Sequence, residues 1–115
     1  GVARDALDAS RAGLGADYPL THAIRYFTAE CLITDGRFAE AGQMLAGLDR
    51  EKVAQLTGNP DFDATVDVAL AEIAAGGRDK AEARRILDKA APALAKTKDA
   101  TLRARAEKLG QVLAS

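Results

Sequence analysis

The side chains that most often carry chemistry are scarce in this 115-residue chain: one histidine, His22, and one cysteine, Cys31. A single histidine excludes a histidine pair or a multi-histidine metal centre built from this chain alone. The two residues lie nine positions apart. At ~1.5 Å rise per residue that is about two and a half turns of one helix, too far for a nucleophile and its base. The expectation is therefore an exposed first-turn histidine and a buried, helix-packing cysteine. Asp61, Asp63 and Asp67 offer carboxylates for a divalent ion, but the run lacks the glycine turn and the closing glutamate of a calcium loop. They read instead as charge compensation at a helix N-terminus. Gly13 and Gly15 lack the strand-to-helix setting of a phosphate loop and read as helix punctuation. No catalytic residue, metal ligand or cofactor is expected, and the chain is not expected to be an enzyme.

Composition points the same way. The chain is 48% hydrophobic but only 4% aromatic, has no tryptophan, and is rich in alanine. That favours one domain, residues 1–115, of closely approaching helices rather than a core of large rings. The formal net charge is −1, so nothing global predicts nucleic acid or a membrane surface as partner. The charge is unevenly placed: residues 1–75 hold twelve acids and six bases, and residues 76–115 hold five acids and ten bases. No apolar run reaches the roughly 18–20 residues that span a bilayer, and no signal segment opens the chain. With one cysteine there is no disulfide framework.

Apolar spacing at i, i+3, i+4 predicts helices throughout and no sheet. A short helix over residues 3–13 is broken by Gly13, Gly15 and Pro19. The next runs from about Pro19 to Gly36, with Ile24, Phe27, Thr28, Cys31 and Leu32 on one stripe. It turns at Gly36 into a helix carrying Phe38, Ala41, Met44, Leu45 and Leu48. Residues 49–56 form an extra short helix, with Asp49 as N-cap and Val53 and Leu56 buried, and Gly58-Asn59-Pro60 stops it. Residues 61–75 place Phe62, Val66, Ala69 or Leu70, and Ile73 inward. Residues 79–96 place Ala83, Ile86, Leu87, Ala90 and Leu94 inward, with a kink or late break at Pro92. Residues 99–114 place Leu102, Ala106, Leu109 and Leu113 inward.

The two central hairpins can be laid over one another. Ala29, Leu32, Ala41, Leu45 and Leu48 match Ala71, Ala74, Ala83, Leu87 and Ala90, and the corner at Gly36 matches one at Gly76-Gly77, the second turn being one residue longer. At these residues the chain resembles the tetratricopeptide repeat family, with a small residue in the first helix, glycine before an aromatic at the corner, and then Glu-Ala. Leu14-Gly15-Ala16-Asp17-Tyr18-Pro19 is similar to the linker of the kinesin-light-chain-like subset. The chain departs from the pattern in three places, the first being that no proline closes the repeat after Leu48. Arg25 stands where a large aromatic is usual, and residues 49–60 stretch the period to 42 residues against about 34.

The resemblance implies an all-α superhelix of antiparallel helix hairpins with a C-terminal capping helix. It also implies a non-catalytic module that binds a protein or peptide. In such repeats the first helix of each pair lines the concave face, which here implies a partner-binding groove at Tyr26, Glu30, Ile33, Thr34, Thr65, Val68 and Glu72. Arg84, Arg85, Lys89 and Arg103 form a possible secondary basic surface. They are interleaved with acids, and no aromatic residue after Phe62 could stack a base, so no nucleic-acid contact is expected of this domain. The alternatives are self-association, acidic front against basic back, and a small-ligand sensor. By resemblance to bacterial proteins of this Ala- and Arg-rich style, the chain reads as the C-terminal fragment of a larger regulator, a transcription regulator or serine/threonine kinase. Such a regulator is expected in the cytoplasm, or in the periplasm if its parent carries a membrane anchor.

Overall fold

A computed structural model describes residues 19–114, which are all-helical. The helix expected over residues 3–13, and the break at Gly13, Gly15 and Tyr18, lie outside the described residues. The six helices among those described are α1 (Pro19–Thr34), α2 (Phe38–Ala46), α3 (Arg50–Thr57), α4 (Phe62–Gly76), α5 (Lys80–Lys96) and α6 (Ala100–Ala114). Boundaries follow local chemistry. Asp49, Asp79 and Asp99 accept the backbone N–H of Lys52, Glu82 and Leu102 respectively, each satisfying an amide that the first helical turn leaves unbonded. Gly58, at φ 65°, ends α3. α5 runs unbroken through Pro92 to Lys96, so no break occurs at that proline.

The corners after α1 and α4 are the same structure. Arg37 N–H donates to Leu32 O and Gly36 N–H to Ile33 O after α1; Asp79 N–H donates to Ala74 O and Arg78 N–H to Ala75 O after α4. These paired bonds define a Schellman cap, whose turning residue is left-handed. In the first corner that residue is Gly36, at φ 76°; in the second it is Arg78, at φ 65°. The two turns therefore match residue for residue, and the longer second turn expected from the glycines is corrected. Gly76 and Gly77 are not the left-handed residues. Gly76 is small because a Cβ there would overlap the Phe38 ring, which packs against it across the hairpins.

α4 is the central element and packs against every other described helix. Phe62 and Val66 meet Ala23 of α1 and Val53 of α3; Ala69 meets Ala29 and Leu45; Ala64 and Val68 meet Leu102 and Ala106; Ala71 meets Ala83, Leu109 and Leu113. Ala29, Ala41, Ala69, Ala71 and Ala83 are completely buried. Such contacts let backbones approach closely, and that explains a chain with so few rings. All four positions expected inward on α6 are buried.

The expected stripe on α1 is corrected. Its buried residues are Thr21, His22, Ala23, Thr28, Ala29 and Leu32, whereas Phe27 is 60% exposed and Cys31 is exposed. The physical reason is the close approach of α2 and α4, which admits alanine and threonine at the seam and turns the larger side chains outward. His22 and Cys31 thus exchange the environments expected of them. His22 lies in the seam and accepts the Asp49 N–H through Nδ1 at 3.1 Å, tying the start of α3 to α1. Leu56, also expected inside, is 52% exposed.

Candidate functional site

α1, α4 and α6 each bring one charged side chain to a common face. Arg105 of α6 donates from Nη1 and Nη2 to the two carboxylate oxygens of Glu30 on α1, at 2.7 and 2.9 Å. It also donates from Nε to Oε1 of Glu72 on α4 at 2.8 Å, with a further Nη2 bond to the same oxygen. The forked, planar guanidinium suits this double engagement in a way a lysine would not. The three side chains are only about a quarter exposed, at 23%, 26% and 22% for Arg105, Glu30 and Glu72. α1 and α6 do not pack directly on one another, and the Arg105 side chain links them.

Burial opposes the charge on Arg105, but the hydrogen bonds it donates to Glu72 and Glu30, with their negative charges, more than reverse this and hold the guanidinium above its usual range. Tyr26, one turn before Glu30, is pushed up to about 12, first by its own burial and then by the Glu30 charge, with Arg105 partly offsetting both. Its ring is anchored edge-on against Phe62, centroids 4.9 Å apart, and against Phe27, 5.5 Å apart.

Two recesses flank the bridge. One, of about 270 Å³, is bordered by Tyr26, Phe27, Val53, Phe62, Thr65 and Asp99. The other, of about 500 Å³, is bordered by Glu72, Arg105, Thr101, Lys108, Leu109 and Val112. Of the residues expected to line the groove, Tyr26, Glu30 and Glu72 are brought together, and Thr65 borders the first recess. Thr34 is exposed at the end of α1, its hydroxyl bonded to the Glu30 carbonyl. Two placements are corrected. Val68 is wholly buried under Leu102 and Ala106, because α6 packs across α4. Ile33 packs beside Ala29, Leu45 and Ala69 in the seam between the hairpins.

Arg105 is the residue that sequence reasoning missed. A signal existed. The register that pairs Gly36 with Arg78 also pairs Glu30 with Glu72, and two carboxylates repeated along one face call for a cation from the next helix. Of the four residues of the expected basic surface, Arg84 donates to the Leu113 carbonyl at 3.0 Å and Arg103 to the Thr97 carbonyl, so both fasten α6. Arg85 bonds Glu82, lowering the glutamate's pKa and raising its own by that hydrogen bond. Lys89 is exposed.

Asp63 and Asp67 accept from Arg50 at 3.3 and 3.0 Å, so their charge is answered by an arginine of α3. Among the described residues no three His, Cys, Asp or Glu side chains converge to hold a metal ion. Among them, too, no helix is long and apolar enough to cross a membrane. Compared with protein-family models, with curated proteins and with solved structures, the chain matches none.

Proposed function

We propose that this chain is a non-catalytic module that binds a protein or peptide along the face shared by α1, α4 and α6. The observation that carries this reading is the convergence of Tyr26, Glu30 and Glu72, from two helices in equivalent register, on a face flanked by two recesses. Tyrosine with polar, partly buried neighbours is a common anchor at interfaces. The arrangement agrees with the resemblance to tetratricopeptide repeats, in which first helices line a concave binding face. On that reading α6 is both the capping helix and the third wall of the groove. The wider role, as the interaction or sensory part of a larger bacterial regulator, rests on the resemblance alone.

Selection of a displayed random-peptide library on the immobilised protein tests the site. Enriched peptides should lose binding to Tyr26→Ala while retaining it to Lys89→Ala, which lies outside the groove. Equal binding to both variants would sink the groove assignment. The rival reading, self-association of an acidic front with a basic back, has less charge to draw on, because Arg105 already joins the two halves within one chain. Sedimentation at low and high salt separates the two: a monomer at every ionic strength excludes the rival.

A further inference from the structure

On α4, Phe62, Val66, Ala69 and Ile73 recur at i, i+4, i+7 and i+11 and form one face of the helix. The elements that precede α4 sit on that face. Phe62 and Val66 pack with Ala23 and Val53, Ala69 with Ala29 and Leu45, and Ile73 lies beside Gly42 of α2. The register that pairs Glu30 with Glu72 pairs these four residues with Leu20, Ile24, Phe27 and Cys31 of α1. The α1 face is equally uncharged, yet Leu20 is 46% exposed, Phe27 60%, and Cys31 is exposed. One and the same face is therefore covered by earlier helices in the second hairpin and left open by the described residues in the first.

The sequence just ahead of α1 has a matching surface. Wound as a helix, residues 3–14 place Ala3, Ala6, Leu7, Ser10 and Leu14 on one side and all of their charges, Arg4, Asp5, Asp8 and Arg11, on the other. Ala3, Leu7 and Ser10 have the spacing of Phe38, Gly42 and Leu45, the residues that α2 sets against α4. Only Gly15, Ala16, Asp17 and Tyr18 separate Leu14 from the start of α1. So short a connection between two helices makes them antiparallel neighbours.

We propose that residues 3–14 form a helix that docks on Leu20, Ile24, Phe27 and Cys31, as α2 docks on α4, so that the open stripe of α1 is an interface within the chain. The occupant is assigned by the internal repeat, which shows what this face carries one hairpin later, and by two uncharged faces joined by a four-residue connection. The proposal concerns the outer face of α1 and stands or falls independently of the groove.

Hydrogen exchange of the full chain, read by mass spectrometry, tests it, because peptides from every helix report in one measurement. Amides of residues 3–14 should exchange at least about tenfold more slowly than in a synthetic peptide of that sequence. Leu20→Asp and, separately, Phe27→Asp put a carboxylate into the stripe, and each should erase this protection while α4, α5 and α6 exchange as in the native chain. Leu7→Asp should do the same from the other side and should speed the reaction of the Cys31 thiol with a bulky maleimide by about tenfold. Arg11→Ala, on the charged side, should change neither. Exchange of residues 3–14 at the rate of the free peptide, or protection that survives both changes in α1, would overturn the proposal. Protection that fades on dilution assigns the stripe to a second copy of the chain and overturns it as well. A variant in which α4, α5 and α6 lose protection has unfolded, and the other two variants then decide.

Discussion

Two arginines in this molecule each sit between two carboxylates, and they do different work. Arg105 joins three helices across 75 residues of sequence, is only 23% exposed, and engages Glu30 through both ends of its fork. Arg50 joins neighbouring α3 and α4 and reaches both an Asp63 that is 79% exposed and an Asp67 that is 13% exposed through one nitrogen. Geometry, more than the number of charges, separates a forked tie between distant elements from a single-nitrogen pairing of neighbours.

The strongest way to break the comparison is Arg105→Met. Stranding two partly buried carboxylates should cost about 2–3 kcal/mol, read as a lowered midpoint in urea with an unchanged slope. A loss no larger than that of Arg50→Met would erase the distinction. Glu30→Gln is expected to cost less, about 1 kcal/mol, since Arg105 keeps Glu72 and a neutral acceptor remains.

Tyr26 reports on the same cluster by pH. Its folded pKa of about 12 lies above the unsupported value of 10.0, so the native state holds this proton more tightly than the unfolded chain does. The corresponding stability is complete below pH 10 and is lost as pH rises towards 12. Urea denaturation repeated across that window should show the loss in the native chain and a smaller one in Tyr26→Phe. In Arg105→Met the tyrosine, without its nearby cation, should ionise at still higher pH by ultraviolet absorbance.

Two smaller changes calibrate the scale. Arg78→Gly places the residue that φ 65° favours at the second corner, and it should stabilise by about 0.5–1 kcal/mol if the side chain there contributes nothing else. Arg50→Met should cost about 0.5–1 kcal/mol by the same denaturation measurement, because one nitrogen makes both bonds and Asp63 is open to solvent, the loss coming from the less exposed Asp67.

The helices themselves were legible. Their periodicity, the Asp49, Asp79 and Asp99 caps and the Gly58 stop are written within a few residues of each boundary, and local hydrogen bonding decides them. The α6 stripe was read correctly because one face of a terminal helix has one set of neighbours. The α1 stripe was not, since Phe27 and Cys31 obey the same spacing as Thr28 and Leu32, and only the proximity of α2 and α4 selects between them. For the same reason Tyr26, Glu30 and Glu72 could be placed on one face from register, while Val68 could not be seen to lie beneath α6.

The sequence by itself determined an all-helical chain and the places of its caps and corners to within a residue or two, because these follow from interactions within a few residues. Tertiary structure alone decided that His22 is buried to hold Asp49, that Gly76 is small to admit Phe38, and that Arg105 spans the groove to Glu30. Each depends on groups far apart in the chain meeting at a distance of a few ångströms. No local pattern encodes that separation, and the packing around α4 sets it.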